Sequence, residues 1–233
     1  MSAHVESALG LLREAATLPP AAFSTSFGAE DMVVLDLIRR HRIAIDVFTL
    51  DTGRLPEETY ALMQRVEQVY GRCFETFYPD TDAVQALVRE RGINGFYESI
   101  ENRMACCDVR KVEPLRRALH GRHSWVTGLR AQQGVSRTQL TARNRDEGLG
   151  IEKFNPLFDW TEQQVWEYIR AGSVPYNALH DRHYPSIGCA PCTRAIAVGE
   201  DVRAGRWWWE NPETKECGLH ARRPVAIPVR VAA

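Results

Sequence analysis

The sequence predicts an α/β fold, a Rossmann-like parallel sheet with helices on both faces. Three observations predict it. Residues 21–91 alternate short apolar runs with amphipathic stretches three times, the pattern of βαβ units. Ile43–Leu50 is short and apolar, as in a sheet buried on both faces. The chain has 233 residues, of which 44% are hydrophobic and 25% charged. A chain of this size buries roughly 70–75% of its extended surface, so it needs neither disulfides nor metal to make a core.

The elements follow in order. Residues 2–18 place Val5, Ala8, Leu9 and Leu12 at helical spacing, and Pro19-Pro20 ends that helix. Ala21–Ser26 reads as a strand, a loop through Gly28 follows, and Ala29–His41 is a helix with Met32, Leu35 and Ile38 inward. After the Ile43–Leu50 strand, Pro56 starts a helix with Glu57 and Glu58 in its first turn, and Gly71 ends it. Cys73–Tyr78 is a third strand, Thr81–Arg91 a helix, Arg103–Leu119 another helix, Ser124–Leu129 a fourth strand and Trp160–Ala171 a helix. Beyond Ser173 the chain is irregular and dense in Pro, Gly and Trp. Residues 1–210 are expected to form one α/β domain, and residues 211–233, poor in core-forming residues, a flexible tail.

A net charge of −1 gives no overall basic field, so nucleic acid is not an expected partner. No apolar run approaches the ~20 residues of a membrane span. Glu6 and Glu14 interrupt the N-terminal apolar residues and no basic segment precedes them, which points away from a secretory signal and toward a cytoplasmic protein. The six cysteines are then expected to stay reduced and to serve metal ligation or thiol chemistry. The oligomeric state stays open, a homo-oligomer included.

Five sites carry candidate chemistry. Ser24–Asp31 joins a buried strand to a helix, and Ser26 and Gly28 present backbone N–H groups to an anion; an ordinary capped turn is the alternative. Glu30 and Asp31 in the first helical turn repel a heavily charged triphosphate. Leu50-Asp51-Thr52-Gly53-Arg54 lies at the C-terminal end of the second strand, where Asp51 or Thr52 could meet a ribose and Arg54 a phosphate.

Cys106-Cys107 and Cys189-x-x-Cys192 supply four thiolates in two pairs. Zinc needs four ligands converging on one tetrahedral ion, and adjacent cysteines converge poorly. A [4Fe–4S] cubane offers a separate iron to each thiolate and suits the spacing better. Arg110 and Lys111 follow one turn later, able to offset thiolate charge or bridge to an anionic substrate. Cys217 stands among Lys215, His220, Arg222 and Arg223, neighbours that favour a nucleophilic thiolate; Cys73, in a strand, reads as core. Arg130, Arg137, Arg203 and Arg206 are forks suited to phosphate or sulfate, and Trp207-Trp208-Trp209 reads as packing.

Taken together, SFGAED at 26–31, LDTGR at 50–54, CC-x-x-RK at 106–111, C-x-x-C at 189–192, RAGRWWWE at 203–210 and KECGLH at 215–220 resemble the assimilatory adenylyl-sulfate (APS) reductases of the APS/PAPS reductase family. The resemblance runs from about Ala22 to His220. It implies an adenine nucleotide alpha hydrolase-like fold and an enzyme of sulfate assimilation, on the way to cysteine. It implies that Cys106, Cys107, Cys189 and Cys192 hold a [4Fe–4S] cluster. Ser26, Gly28, Leu50 and Arg54 then belong to the nucleotide pocket, and Lys111, Arg137, Arg203 and Arg206 to the phosphosulfate. Cys217 becomes the catalytic nucleophile, resolved by thioredoxin or a glutaredoxin-type reductant. One departure is visible: after the fourth strand the family's usual GLRREQS-x-x-R reads GLRAQQGVSR, with Ala131 for an arginine and Gln132 for an acid.

Three alternatives stay open. Reduction of PAPS would need an extra cationic pocket for a 3′-phosphate, against which Glu30 and Asp31 lean. A non-catalytic nucleotide-binding module stapled by zinc would leave Cys217 dispensable. An ATP-using adenylylating or thiolating enzyme would leave LDTGR and the tail cysteine without a task.

Overall fold

The structure is a computed structural model and describes residues 2–133 and 140–211. A six-stranded sheet runs in the order β3-β2-β1-β4-β6-β5: β1 Ala21–Thr25, β2 Asp46–Leu50, β3 Glu75–Phe77, β4 Ser124–Val126, β5 Arg143–Asp146 and β6 Ile151–Phe154. All neighbours pair in parallel except β5 with β6 at one edge. The order reverses between β1 and β4, which places a crevice at their C-terminal ends.

Strand alternation splits the core in two. Phe23, Val47, Val126 and Phe154 face helices α1 Ala3–Ala16, α2 Ala29–Arg40, α3 Glu57–Tyr70 and α7 Glu162–Gly172. Ala22, Phe48, Trp125 and Ile151 face the opposite way, against Leu115, Ala118 and Leu119 of α6 Glu113–Leu119. Each of the Val, Leu, Ile and Phe side chains among these, once buried, contributes about 1.5–3 kcal/mol. Among the helices, α7 starts with a capping box: Thr161 Oγ1 accepts from Gln164 N at 3.2 Å while Gln164 Oε1 accepts from Thr161 N at 2.8 Å. Helices α3 and α4 (Thr81–Arg91) stop at Gly71 and Gly92, both at φ 76°, where a side chain would be strained.

A buried polar hub ties this face together. The carboxylate of Asp36 accepts from Arg40 Nε at 2.8 Å, Tyr70 Oη at 2.6 Å and Tyr168 Oη at 2.7 Å, joining α2, α3 and α7. Burial, and then the bond to Asp36, push both phenols well above their ordinary range.

Three expectations change. The helix expected over Arg103–Leu119 is α5 Ile100–Cys107, a π-turn Asp108–Val112, and α6. The fourth strand stops at Val126, because residues 127–130 turn away to line the crevice. Strands β5 and β6 lie in a stretch read without strands: Arg143–Asp146 is polar, and Ile151–Phe154 is four residues long. Of the expected tail, only Asn211 is among the described residues.

Candidate active site

The crevice at the reversal of strand order opens into a cleft of about 620 Å³. Ser26 and Gly28 after β1, Leu50 at the end of β2 and Thr52 after it, Thr127–Arg130 after β4, and Lys111, Arg203 and Arg206 from the far wall all line it. The loop after β1 turns sharply because Phe27 takes φ 58°, with its ring buried against Phe74. That turn lets Gly28 open α2.

The two acidic residues of the loop have defined tasks. Asp31 Oδ2 accepts from Ser26 N at 2.6 Å and from Ser26 Oγ at 2.7 Å, so the loop's own carboxylate satisfies donors that a phosphate would otherwise take. Glu30 accepts from Arg130 at 2.8 Å, deep in the cleft. Arg130, read from sequence as a fork for phosphate or sulfate, is therefore engaged in holding the β4 loop to the start of α2. Opposite, His180 lines the cleft with its Nε2 buried and without a hydrogen-bond partner among the described residues, and burial pulls its pKa down.

Next to the cleft lies a small cavity of about 20 Å³ lined by all four expected thiols, Cys106, Cys107, Cys189 and Cys192. Five cationic side chains also line it: Arg54, Arg103, Arg110, Lys111 and Arg206. The π-turn supplies two of these, since widening the helix after Cys107 turns Arg110 and Lys111 toward the thiols of the preceding turn. Burial pushes the Cys106 thiol up and the Cys192 thiol to about 12, with Arg110 drawing the first back down and Lys111 and Arg206 the second. Arg110 Nε is buried without a hydrogen-bond partner among the described residues. Among the described residues no three His, Cys, Asp or Glu side chains gather closely enough to ligate a single metal ion. Four thiols spread around one cavity, walled by cations, fit an anionic multi-iron cluster better than one ion.

The turn after β2 touches both spaces: Leu50 and Thr52 line the cleft, and Arg54 lines the thiol cavity. Thr52 Oγ1 lies 3.3 Å from Cys189 Sγ, Arg110 Nη1 donates to Thr52 O at 2.6 Å, and Ala190 N donates to Arg54 O at 2.8 Å. Gly53 at φ 69° makes that turn, and Asp51 Oδ1 accepts from Gly53 N at 2.8 Å and Tyr60 Oη at 2.9 Å. Asp51 thus caps the turn.

Of the expected substrate contacts, Ser26, Gly28, Leu50, Lys111, Arg203 and Arg206 share the cleft. Arg54 does not: it lies on the thiol cavity, over the Phe96 ring at 5.1 Å, donating to Asn94 Oδ1 at 3.1 Å and to Ile93 O. Lys111, Arg206 and Trp207 line both spaces and form the wall between them. Trp207 is buried, as a packing role requires, while Trp208 is half exposed. Arg137 and Cys217 lie outside the described residues, as do residues 134–136 of the departing loop, whereas Ala131 and Gln132 are described, in a single 3-10 turn.

Sequence reasoning missed Arg103, Glu210 and His180. The signal for the first two was faint: an arginine one turn before a cysteine pair and an acid closing the tryptophan run. Only the fold brings them together.

Fold and site define an α/β nucleotide-cleft protein with a thiol-lined cavity fused to the cleft wall. Residues 20–195 match the phosphoadenosine phosphosulfate reductase domain. The chain is 61% identical over 205 residues to an adenosine 5'-phosphosulfate reductase of Allochromatium vinosum, covering 88% of this chain and 80% of that one. It is 53% identical over 211 residues to one of Burkholderia cepacia, covering 91% and 84%. Among solved structures, the phosphoadenylyl-sulfate reductase of Candida auris superposes with TM-score 0.69 at 30% identity, covering 81% and 90%. An FMN adenylyltransferase of Candida glabrata, 14% identical with TM-score 0.55 over 99% of this chain and 80% of that one, shares the fold alone. The chain belongs to the phosphoadenosine phosphosulfate reductase domain family.

Proposed function

We propose that this protein is an enzyme that reduces adenosine 5'-phosphosulfate to sulfite and AMP, with a [4Fe–4S] cluster held by Cys106, Cys107, Cys189 and Cys192. The observation that carries the reading is the shared wall: Lys111 and Arg206 face a nucleotide-sized cleft on one side and four thiols on the other. When bound, the cluster supplies a compact negative charge that orders the surrounding cations and needs no electron transfer of its own.

The chain's own residues do the rest. Ser26, Gly28 and Leu50 seat the nucleotide at the sheet edge. Lys111, Arg203 and Arg206 hold the phosphosulfate, and Arg137 joins them from outside the described residues. The thiolate of Cys217 attacks the sulfate sulfur; the bond to the phosphate oxygen breaks and AMP leaves. The product is an S-sulfocysteine on Cys217. One thiolate of a dithiol reductant of the thioredoxin or glutaredoxin type then attacks the Cys217 sulfur and expels sulfite. Its second thiol releases Cys217, so the dithiol loses two electrons and the sulfate sulfur gains them.

APS is favoured over its 3′-phosphorylated form because the loop donors are already taken by Asp31 and the nearby Arg130 by Glu30. No helix among the described residues is long and apolar enough to cross a membrane, and reduced thiols fit a cytoplasmic setting. The test is sulfite release from APS and from PAPS by wild-type and Cys217→Ser protein. Sulfite from APS with wild type alone is the expected result. Normal release by Cys217→Ser overturns the reading, and faster turnover of PAPS overturns the substrate assignment.

A further inference from the structure

We infer that Arg103 and Glu210 form a clasp that fixes the root of the Cys217 segment to the helix bearing Cys106 and Cys107, and that both are positioning residues for sulfonate transfer. The inference rests on the reading above, in which Cys217 is the nucleophile.

The clasp is a fork-to-fork ion pair. Arg103 Nε donates to Glu210 Oε1 at 2.9 Å and Nη2 to Oε2 at 2.8 Å, with side chains only 2% and 4% exposed. Two parallel bonds fix an angle as well as a distance. Arg103 stands one turn before the cysteine pair on α5. Its guanidinium carbon lies 4.9 Å from the centre of the Trp207 ring, and that of Arg206 lies 4.8 Å from the same ring.

Trp207 is held at φ 41°, a conformation a tryptophan takes only where its surroundings impose it. Its N–H donates to Cys192 O at 3.1 Å, and its carbonyl accepts from Glu210 N at 2.8 Å. One strap, residues 206–210, is thereby fastened to both cysteine pairs at once: to the first through Arg103 and to the second through Cys192.

Two consequences follow for the reaction. Arg206 is aimed into the cleft, its guanidinium seated so closely on Gly188 that an added Cβ there would lie 2.3 Å from Nη2. And the chain to Cys217 departs from a fixed point. Cys217 lies seven residue steps beyond Glu210, a reach of at most about 25 Å. A buried ion pair can be replaced by well-packed apolar side chains at little cost in stability, so what this pair uniquely supplies is geometry.

The test uses full-length protein carrying Glu210→Gln, Arg103→Lys, or the apolar pair Arg103→Met with Glu210→Leu. The pair keeps the question answerable should the single variants fail to fold. Three quantities are read: iron per chain, the single-turnover rate of Cys217 sulfonation by APS without reductant, and the rate at which iodoacetamide alkylates Cys217. At equal iron content the variants are expected to sulfonate Cys217 about tenfold to a hundredfold more slowly, the scale of an ångström-level misplacement. Alkylation, which needs no positioning, is expected at the wild-type rate.

Sulfonation at the wild-type rate per iron-loaded chain overturns the inference, and so does a loss of rate that tracks lost iron alone. If wild-type protein is itself not sulfonated, the functional reading fails first and takes the inference with it. If wild type is sulfonated and the variants keep pace, the inference alone fails.

Discussion

Gly128 offers a sharp test of how the cleft is built. It follows β4 and presses its backbone against the first turn of α2. A methyl group added there would lie 2.2 Å from Asp31 Oδ1 and 3.1 Å from Asp31 N. Ordinary contact begins at 3.4 Å, so the carboxylate must retreat by about 1.2 Å, the difference of those distances. It cannot do so without stretching its bonds to Ser26 N and Oγ, now 2.6 and 2.7 Å. Hydrogen bonds to a charged group contribute about 1.5–3 kcal/mol each. Partial loss of two, with the overpacking itself, gives a cost of about 3 kcal/mol for Gly128→Ala. For a chain of this size that lowers Tm by roughly 6–12 °C. The same shift moves Ser26 and Gly28, so KM for APS rises as well. Thermal unfolding followed by circular dichroism, together with KM for APS, is the assay. Gly10→Ala is the control: Gly10 lies inside α1 with nothing within 4 Å of an added Cβ. That change is expected to stabilise by about 0.5–1 kcal/mol, since alanine is the better helix former. A Gly128→Ala protein with wild-type Tm and KM would refute the reasoning.

Other outcomes follow from the same geometry. Lys111→Ala is expected to lower turnover by about a hundredfold, the scale of losing one preorganised donor at a reacting group, with the visible absorbance of the iron–sulfur protein intact. Arg54→Ala is expected to lower iron per chain while KM for APS in the iron-loaded fraction stays at its wild-type value, because Arg54 lines the thiol cavity and not the cleft. Asp36→Asn is expected to cost about 3 kcal/mol in chemical denaturation, since it removes the buried carboxylate shared by the half-buried phenols of Tyr70 and Tyr168 and the exposed guanidinium of Arg40. The phenols of Tyr70 and Tyr168 are raised in the folded protein. Their stabilisation is therefore full below the ordinary phenol value of about 10 and is lost as pH rises above it. A Tyr70→Phe, Tyr168→Phe protein is expected to show a flatter alkaline limb in its stability profile against pH.

Much of the fold was legible because it rests on local pattern. Pro19-Pro20, Pro56 and Gly71 punctuate elements whose apolar spacing is unambiguous, and the observed helix ends fall within three residues of them. Strands β5 and β6 were not legible. Arg143–Asp146 is polar because it is an edge strand, its charges pairing with Glu152 and Glu14, and a four-residue partner carries too little period to read. The π-turn was hidden because its sequence, Asp108–Val112, is that of an ordinary helix.

At the site, the residue types pointed to the chemistry but not to the division of labour. LDTGR lies at the sheet edge as expected, yet Gly53 turns Arg54 toward the thiols. Glu30 and Asp31 look like a barrier to anions in the sequence; in space each has a donor of its own. The Arg103–Glu210 pair spans 107 residues, and no local pattern can announce a contact of that range.

The central claim is that Cys217 takes the sulfonate from the nucleotide. Iron-loaded protein incubated with sulfur-labelled APS in the absence of reductant, then digested and weighed by mass spectrometry, tests it directly. The account predicts one labelled sulfonate on Cys217, absent from Cys217→Ser protein and released as sulfite when a dithiol is added. Iron-loaded wild-type protein that stays unlabelled, or a label on any other residue, would contradict it.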